Sequence, residues 1–139
     1  DAKAYLEAGP WGDVLTLQAM QAGIAGLVIN GCVRDANLII ELGFPVFCRG
    51  LSIKGTGKFQ PGRINVPVTI GEAVIHPGDY IVGDRDGVAV VPKDELEQTV
   101  TRSLAREEKE AGQRKAIEQG VFTTELLGLT DTLRRLGLE

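Results

Sequence analysis

The chain has 139 residues, a length typical of one domain. Hydrophobic residues make up 43% and charged residues 24% of it, a globular balance that excludes a disordered or fibrous protein. The 19 acidic residues outnumber the 15 basic ones, so the chain lacks the excess of positive charge that is typical of proteins that bind nucleic acid or an anionic membrane surface. Two cysteines do not make a disulfide framework, and no apolar run approaches the ~20 residues of a membrane helix. We therefore expect a cytoplasmic protein.

The first half of the chain alternates between helical and strand patterns. Apolar residues recur at helical spacing over 12–23, which predicts a helix closed by a glycine. The apolar runs 25–29 and 45–48 predict buried strands on either side of a second helix over 35–43. This order predicts a parallel strand pair. Ligands of such units lie beyond the carboxyl end of the first strand, which here is residues 30–35.

The middle of the chain predicts a loop followed by antiparallel strands. Residues 50–62 are rich in glycine and lack periodicity, so we expect a loop that brings its backbone close to another group. Alternating or turn-bounded apolar segments then predict antiparallel strands over 64–70, 80–82 and 87–91. Pro92 ends the last of these strands.

The last part of the chain predicts helices. Residues 93–119 are highly charged and predict one long helix, and a final short helix is expected over 124–136. We expect these helices to form a C-terminal arm over 93–139 that belongs to the same single domain. The apolar face of the long helix carries Leu96, Val100, Leu104 and Ala111.

The chemically informative segment is Asn-Gly-Cys-Val-Arg-Asp at residues 30–35. The Arg34 guanidinium would offer a bidentate fork to a carboxylate, and the Asp35 carboxylate could hold a divalent metal against that same ligand. Arg34 and the metal held by Asp35 would together bind a 2-oxo acid. The alternative stays open that Asp35 is a helix N-cap and Arg34 a surface ion-pair partner. Asp13 is equally ambiguous, because it either complements the helix dipole or adjoins an anion-binding helix start.

Six segments of the sequence form a recognisable set, in order and with matching spacing: 12–15, 26–35, 43–47, 77–79, 83–92 and 120–138. Together they resemble the RraA-like family, which includes the 4-hydroxy-4-methyl-2-oxoglutarate aldolases. The resemblance implies an α/β fold of the swivelling β/β/α type, a mixed sheet with flanking helices, assembled as a homotrimer or a dimer of trimers. For the aldolase branch it implies a metal-dependent class II pyruvate aldolase that also decarboxylates oxaloacetate.

The resemblance also implies a role for each candidate residue of the first half. Asp35 would be the direct ligand of Mg²⁺ or Mn²⁺. Arg34 would bind the pyruvyl group of the 2-oxo acid substrate and help to stabilise its enolate. Asp13 would reach the metal through water, and the backbone amides of Val14 and Leu15 would receive the substrate carboxylate.

Glu110, on the long charged helix, would enter the site of a neighbouring subunit and reach the metal there through water. From the helix alone it would be interpreted as a solvated charge. The sequence departs from the family pattern at Asn30, where many members have aspartate. Family members also carry roughly ninety residues before the position of Asp1, so we expect the chain to be the C-terminal part of one domain.

The resulting hypothesis is a lyase that cleaves a 4-hydroxy-2-oxo acid to pyruvate and a second oxo acid. The metal would polarise the 2-oxo group, and Arg34 would be a second electrostatic clamp. A metal-bound water oriented by Asp13 and Glu110 would take the 4-hydroxyl proton. The rival hypothesis is a non-enzymatic regulator that binds a ribonuclease. Glu110 and the C-terminal extension argue against this hypothesis. A third possibility is a methyltransferase of the menaquinone pathway. The sequence contains no glycine-rich nucleotide site that would support it.

Overall fold

A computed structural model of the chain describes residues 1–138. The chain divides into two compact units, Asp1–Lys93 and a second that begins at Asp94. Every described strand and two of the helices belong to the first unit, and the second unit is helical. The predicted α/β class with a C-terminal helical extension is confirmed. Glu139, the last residue of the predicted arm, lies outside the described residues.

Two helices of the first unit form where the apolar spacing predicts them. Helix α1 spans Asp13–Gln21 and helix α2 spans Ala36–Glu41. Two residues beyond these helices, Gly23 and Gly43 adopt φ angles of 74° and 69°. Other residues lose about 1–2 kcal/mol in this left-handed region, so glycine is the residue that ends each helix sharply.

Two parallel strand pairs hold the first half of the chain together. Strand β1 (Leu27–Val28) pairs with β3 (Val46–Phe47), which confirms the predicted strand, helix and strand unit. Strand β2 (Cys32–Val33) pairs with β4 (Gly50–Leu51), which the sequence does not predict. The loop expected over 50–62 is therefore wrong at its first two residues, because a two-residue strand is too short to show a periodicity.

Two antiparallel hairpins follow in the first unit. Strand β5 (Val68–Ile70) pairs with β6 (Ala73–Ile75), and β7 (Tyr80–Gly83) pairs with β8 (Val88–Val91). The expected antiparallel pairing is confirmed, although β5 begins later than its alternating pattern and β6 is absent from the prediction. The Asp84 carboxylate closes the second hairpin by accepting hydrogen bonds of 2.8 and 3.2 Å from two backbone N–H groups of the turn.

The second unit contains one long helix and two short ones. Helix α3 spans Leu96–Glu118, and none of its residues is buried. The single final helix expected over 124–136 is wrong. Two helices form instead, α4 (Thr123–Leu126) and α5 (Thr130–Arg135), because Gly128 between them turns the chain with a φ of 65°. No helix in the described part of the chain is both long and apolar enough to cross a membrane.

The apolar core of the first unit is small, and one pair of rings anchors it beside the start of α1. The Trp11 indole stacks on the Phe44 ring with centroids 6.4 Å apart and planes inclined by 12°. Such pairs add about 0.5–1.5 kcal/mol beyond the burial of their area. The other buried apolar residues are Ala8, Ala19, Cys32, Val33, Ile39 and Val91.

A buried hydroxyl connects this ring pair to the first turn of α1. Thr16 is fully buried. Its Oγ1 donates to the Gly12 carbonyl oxygen at 3.0 Å and accepts from Trp11 Nε1 at 2.8 Å. The first hydrogen bond is buried and the second is partly buried, and an unpaired polar group in such a position is costly. Thr16 therefore fixes the backbone that leads into α1.

We expect Thr16→Val to lower the free energy of unfolding by about 1–3 kcal/mol, because the indole N–H loses its buried acceptor. Thr16→Ser is the matched control, since it keeps the hydroxyl and removes only a methyl group. The measurement is urea unfolding followed by the fluorescence of Trp11, the one tryptophan of the chain. A valine variant as stable as the serine variant would contradict this role.

Candidate active site

The loop between β1 and α2 lies against the start of α1. Trp11 forms a parallel bridge with Val33, and the Arg34 backbone N–H donates to the Trp11 carbonyl oxygen at 2.8 Å. Strand β2 lies within this loop and is fixed on its other edge by β4. The two segments that the sequence singles out, around Asp13 and around Asp35, are therefore neighbours.

Asp35 occupies the position before α2, but its side chain does not cap that helix. Its backbone is left-handed, with φ 58° and ψ 35°, a conformation that aspartate tolerates better than most residues. Its Oδ2 atom instead accepts a hydrogen bond of 3.4 Å from the backbone N–H of Asp13. A strained residue whose carboxylate is turned away from its own helix is typical of a functional site.

Some nitrogen atoms of the Arg34 guanidinium contact the protein, and others are open. Its Nη1 donates to the Gly9 carbonyl oxygen at 2.7 Å, and its Nε lies 3.4 Å from Asp35 Oδ2. The two side chains are 34% and 35% exposed, so this ion pair contributes little to stability. The remaining N–H groups of the guanidinium are available for an anionic ligand.

The first turn of α1 supplies backbone donors at the same place. The Asp13 N–H is used by Asp35. The N–H groups of Val14 and Leu15 follow it in the helix, where geometry gives them no acceptor within α1. The structure thus brings together the Asp13, Val14 and Leu15 backbone with the side chains of Arg34 and Asp35. These are all the predicted site residues of the first unit.

Gly12 is a site residue that the sequence reasoning did not single out. A Cβ atom on Gly12 would lie 2.3 Å from Asp35 Oδ2 and 3.2 Å from Arg34 Nε. The absence of a side chain there lets the carboxylate approach the start of α1. The signal in the sequence was a glycine directly before Asp13, which is ambiguous without the fold because glycine also serves as an ordinary helix N-cap.

Asn30 is buried at the start of the loop, and both ends of its amide are hydrogen-bonded. The residue is 7% exposed. Its Nδ2 donates to Asp1 Oδ1 at 2.9 Å, and its Oδ1 accepts from Arg49 Nε. Asn30, the departure from the family pattern, therefore has a structural role in holding the first residues of the chain against the loop.

A cleft of about 350 Å³ opens beside the charged pair. One part of its wall is polar, and the rest comes from the first turn of α2 and the end of β4. The lining residues are Arg34, Asp35, Ala36, Asn37, Leu38, Leu51, Ser52 and Ile53.

Glu110 belongs to the second unit and is not among the residues that line this cleft. On α3 its carboxylate lies 2.8 Å from Arg106 Nε and 3.8 Å from Arg114 Nη1. The hydrogen bond and charge of Arg106, helped by Arg114, lower the pKa of Glu110 below that of a free glutamate. Glu110 is therefore a partly exposed anion that is paired with arginines of its own helix.

The residues present fit a divalent metal that keeps most of its own waters. No group of three or more His, Cys, Asp or Glu side chains in residues 1–138 could form a protein cage for a metal. Asp35 offers one carboxylate whose Oδ1 is not used in a hydrogen bond to this part of the chain. Mg²⁺ is commonly held by one or two carboxylates, waters and substrate oxygens, so this donor set suits Mg²⁺ or Mn²⁺.

Comparison with known proteins identifies related sequences. Residues 1–90 match the profile of the RraA-like family, described as Aldolase/RraA. A protein of Halalkalibacterium halodurans named "Putative 4-hydroxy-4-methyl-2-oxoglutarate aldolase" is 39% identical over 122 residues, which are 88% of this chain and 58% of that protein. The chain thus spans less than two thirds of this relative.

Solved structures share the fold. A protein of Pseudomonas syringae pv. tomato has a TM-score of 0.80 at 34% identity, covering 86% of this chain and 60% of its own. Streptomyces coelicolor RraAS2, described as an unusual member of the RNase ES inhibitor RraA protein family, has a TM-score of 0.73 at 33% identity, covering 79% and 57%. These likenesses confirm the predicted type of fold.

We expect Gly12→Ala to displace the Asp35 carboxylate, because the new Cβ atom would overlap Oδ2. The Asp35 carboxylate would then lose the hydrogen bond from the Asp13 N–H, which NMR detects as a shift of the Asp35 carboxyl ¹³C signal, with a stability loss of about 1 kcal/mol. Gly55→Ala is the control, since nothing lies within 4 Å of a Cβ atom at Gly55. An unchanged Asp35 carboxyl signal in Gly12→Ala would refute the close approach.

The pairing of Glu110 predicts its titration. Because Arg106 lowers the pKa of Glu110, the carboxylate stays ionised to more acidic pH than a free glutamate. The ion pair is present above the ordinary glutamate pKa and is lost as the pH falls through the lowered value. A ¹³C NMR titration should show this lowered pKa, and Arg106→Gln should raise it. Arg102 lies one turn before Arg106 and two turns before Glu110, so Arg102→Gln should leave the Glu110 titration unchanged. An equal effect of both variants would be inconsistent with the pairing.

Proposed function

The chain belongs to the RraA-like family, and we propose that it carries the site of a divalent-metal-dependent class II pyruvate aldolase that also decarboxylates oxaloacetate. The substrates would be acids of the 4-hydroxy-4-methyl-2-oxoglutarate type. The observation that carries the proposal is the convergence of Arg34, Asp35 and the start of α1 on one place. This arrangement adds little to stability and suits a 2-oxo acid. A cytoplasmic location is part of the proposal, since the described cysteines are free thiols.

Arg34 and the start of α1 would hold the pyruvyl part of the substrate. The guanidinium has N–H groups left for a carboxylate or an oxo group, and its bond to the Gly9 carbonyl oxygen fixes its plane. The N–H groups of Val14 and Leu15 would receive the carboxylate at the positive end of α1. Positive charge from Arg34 would stabilise the enolate that develops during cleavage.

Asp35 would hold Mg²⁺ or Mn²⁺, with Asp13 and Glu110 reaching the ion through water. When bound, such an ion polarises the 2-oxo group and stabilises negative charge on it. Asp35 is suited to this role because its Oδ2 is oriented by the Asp13 N–H while its Oδ1 stays open. Gly12 would contribute by leaving room for the carboxylate.

The cleavage step requires a proton acceptor. In the aldolase reaction the bond between C3 and C4 breaks, its electron pair stays on the pyruvyl fragment as the enolate, and the 4-hydroxyl proton leaves as C4 becomes a carbonyl. We assign the removal of this proton to a water molecule oriented by Asp13 together with Glu110. Decarboxylation of oxaloacetate breaks the corresponding bond to release CO₂ and needs no such acceptor. In both reactions the enolate takes a proton at C3 to give pyruvate.

Glu110 would act in the site of a neighbouring copy. We propose a homotrimer or a dimer of trimers in which each α3 supplies this carboxylate to another subunit. Two facts support the assignment: Glu110 is partly exposed on α3, and Arg106 and Arg114 keep it anionic. Glu110→Gln should lower aldolase turnover more than oxaloacetate decarboxylation, because only the aldolase reaction needs the hydroxyl proton removed. Equal losses for the two reactions would remove Glu110 from the proton step.

The rival is a regulator that acts by binding a ribonuclease. The likeness to Streptomyces coelicolor RraAS2 favours this possibility. Such a protein has no need of a left-handed aspartate held against an arginine and a helix start. Recovery of a ribonuclease in a pull-down, together with no lyase activity on either substrate, would reverse the ranking.

The metal role of Asp35 has a direct test. Asp35→Ala should abolish release of pyruvate from both substrates, and Arg34→Gln should reduce it by about 10²–10³-fold. Asp86→Ala is the matched control, because Asp86 lies in a hairpin turn and its carboxylate bonds to no described residue. Thorough chelation with EDTA should stop the wild type, and added Mg²⁺ or Mn²⁺ should restore it. Unaffected turnover after chelation would refute the metal mechanism. Wild-type rates in Asp35→Ala would show that Asp35 serves only at the start of α2.

A further inference from the structure

The cleft beside Arg34 and Asp35 has room beyond the pyruvyl group. Its volume of about 350 Å³ exceeds what a three-carbon fragment fills, and its walls continue along the first turn of α2 and the end of β4. Acids of the 4-hydroxy-4-methyl-2-oxoglutarate type carry a second carboxylate on the C4 side. With the pyruvyl group held by Arg34 and the start of α1, this second carboxylate would lie in the remaining part of the cleft.

Most polar side chains of the cleft are unsuited to bind that carboxylate. A carboxylate accepts hydrogen bonds and donates none, so it needs a donor. Asp35 offers only acceptors when it is ionised. The single hydroxyl proton of Ser52 is already donated to the Glu7 carbonyl oxygen at 3.1 Å. Arg34 donates to the Gly9 carbonyl oxygen, and its open N–H groups are assigned to the pyruvyl half.

Asn37 is the remaining polar residue that lines the cleft. It lies in the first turn of α2, two residues beyond Asp35. Its side-chain amide makes no hydrogen bond to any residue within 1–138, so both N–H groups of its Nδ2 are open. Asn37 is exposed, so an anion that it binds stays in contact with water and needs no buried cation as a partner.

We propose that Asn37 is a specificity-determining residue that binds the second carboxylate of the substrate through its side-chain N–H groups. The proposal rests on the proposed function, because it takes the pyruvyl group to be held at Arg34 and the metal at Asp35. All three side chains line one cleft, so a single substrate molecule can contact them together. Asn37 would thereby favour acids that carry a carboxylate beyond C4.

The test follows two reactions of the whole protein with saturating Mg²⁺. Cleavage of 4-hydroxy-4-methyl-2-oxoglutarate, measured as release of pyruvate, uses both halves of the site. Exchange of the methyl hydrogens of pyruvate in deuterium oxide, measured by NMR, uses only the pyruvyl half, because pyruvate has no second carboxylate. A change at Asn37 should therefore affect cleavage and spare exchange.

Two substitutions of Asn37 separate the hydrogen bond from charge. Asn37→Ala should lower kcat/KM for cleavage about tenfold, because a hydrogen bond to a charged group is lost. The loss should appear in KM, since the bound substrate and the transition state share this contact. Asn37→Asp keeps the shape and adds a negative charge, so its loss should exceed that of the alanine variant and shrink with added salt.

Asn65→Asp is the matched control. It makes the same change at another exposed asparagine of the first unit, which does not line the cleft. Asn65 has a φ angle of 56°, a conformation that aspartate also tolerates. Cleavage and exchange should both proceed at wild-type rates in this variant. Circular dichroism spectra of the three variants establish that they are folded.

The outcomes distinguish this assignment from the proposed function. Loss of cleavage with retained exchange, larger in Asn37→Asp than in Asn37→Ala, supports the assignment. Wild-type cleavage in Asn37→Ala, equal losses in the two reactions, or an Asn37→Asp loss no greater than that of Asn37→Ala or of Asn65→Asp overturns it and leaves the aldolase proposal standing. No cleavage by the wild type overturns the aldolase proposal and this assignment with it.

Discussion

The hydrogen bond between the Asp13 backbone N–H and the Asp35 carboxylate is the contact on which the geometry of the candidate site depends. It requires a left-handed aspartate on one side and a residue without a side chain, Gly12, on the other. The start of α1 is in turn fixed by the buried hydroxyl of Thr16. Backbone pairing of Trp11 with the β2 segment brings the two partners into register. Core packing and site geometry therefore depend on the same few residues.

The energies of these contacts indicate what they are for. The charged pair formed by Arg34 and Asp35 is about one third exposed, so solvent screens it and its contribution to folding is small. The left-handed backbone of Asp35 costs about 1–3 kcal/mol. Stability in this unit comes instead from the stacked rings of Trp11 and Phe44 and from the strand pairs. A costly conformation that yields little stability is understandable when the exposed groups bind a ligand.

The sequence predicts helices α1 and α2 well, because apolar spacing and a closing glycine are local signals. It does not predict the pairing of β2 with β4, since neither strand lies in a longer apolar run such as those that predict β1 and β3. It identifies Arg34 and Asp35 as candidates, but the position before a helix suggests a cap, and only the tertiary contact with Asp13 shows where the carboxylate turns. Gly12 is undetectable as a site residue for the same reason, because its importance lies in a contact 23 positions along the sequence.

Asn30 has a consequence for how the chain can vary. Its amide donates to the Asp1 carboxylate through one atom and accepts from Arg49 through the other, a combination that a carboxylate cannot reproduce. An aspartate at this buried position would place two negative charges in contact unless residue 1 changed as well. The amide of Asn30 and the carboxylate of Asp1 are therefore matched to one another in this chain, and a change at either position alone would remove their hydrogen bond.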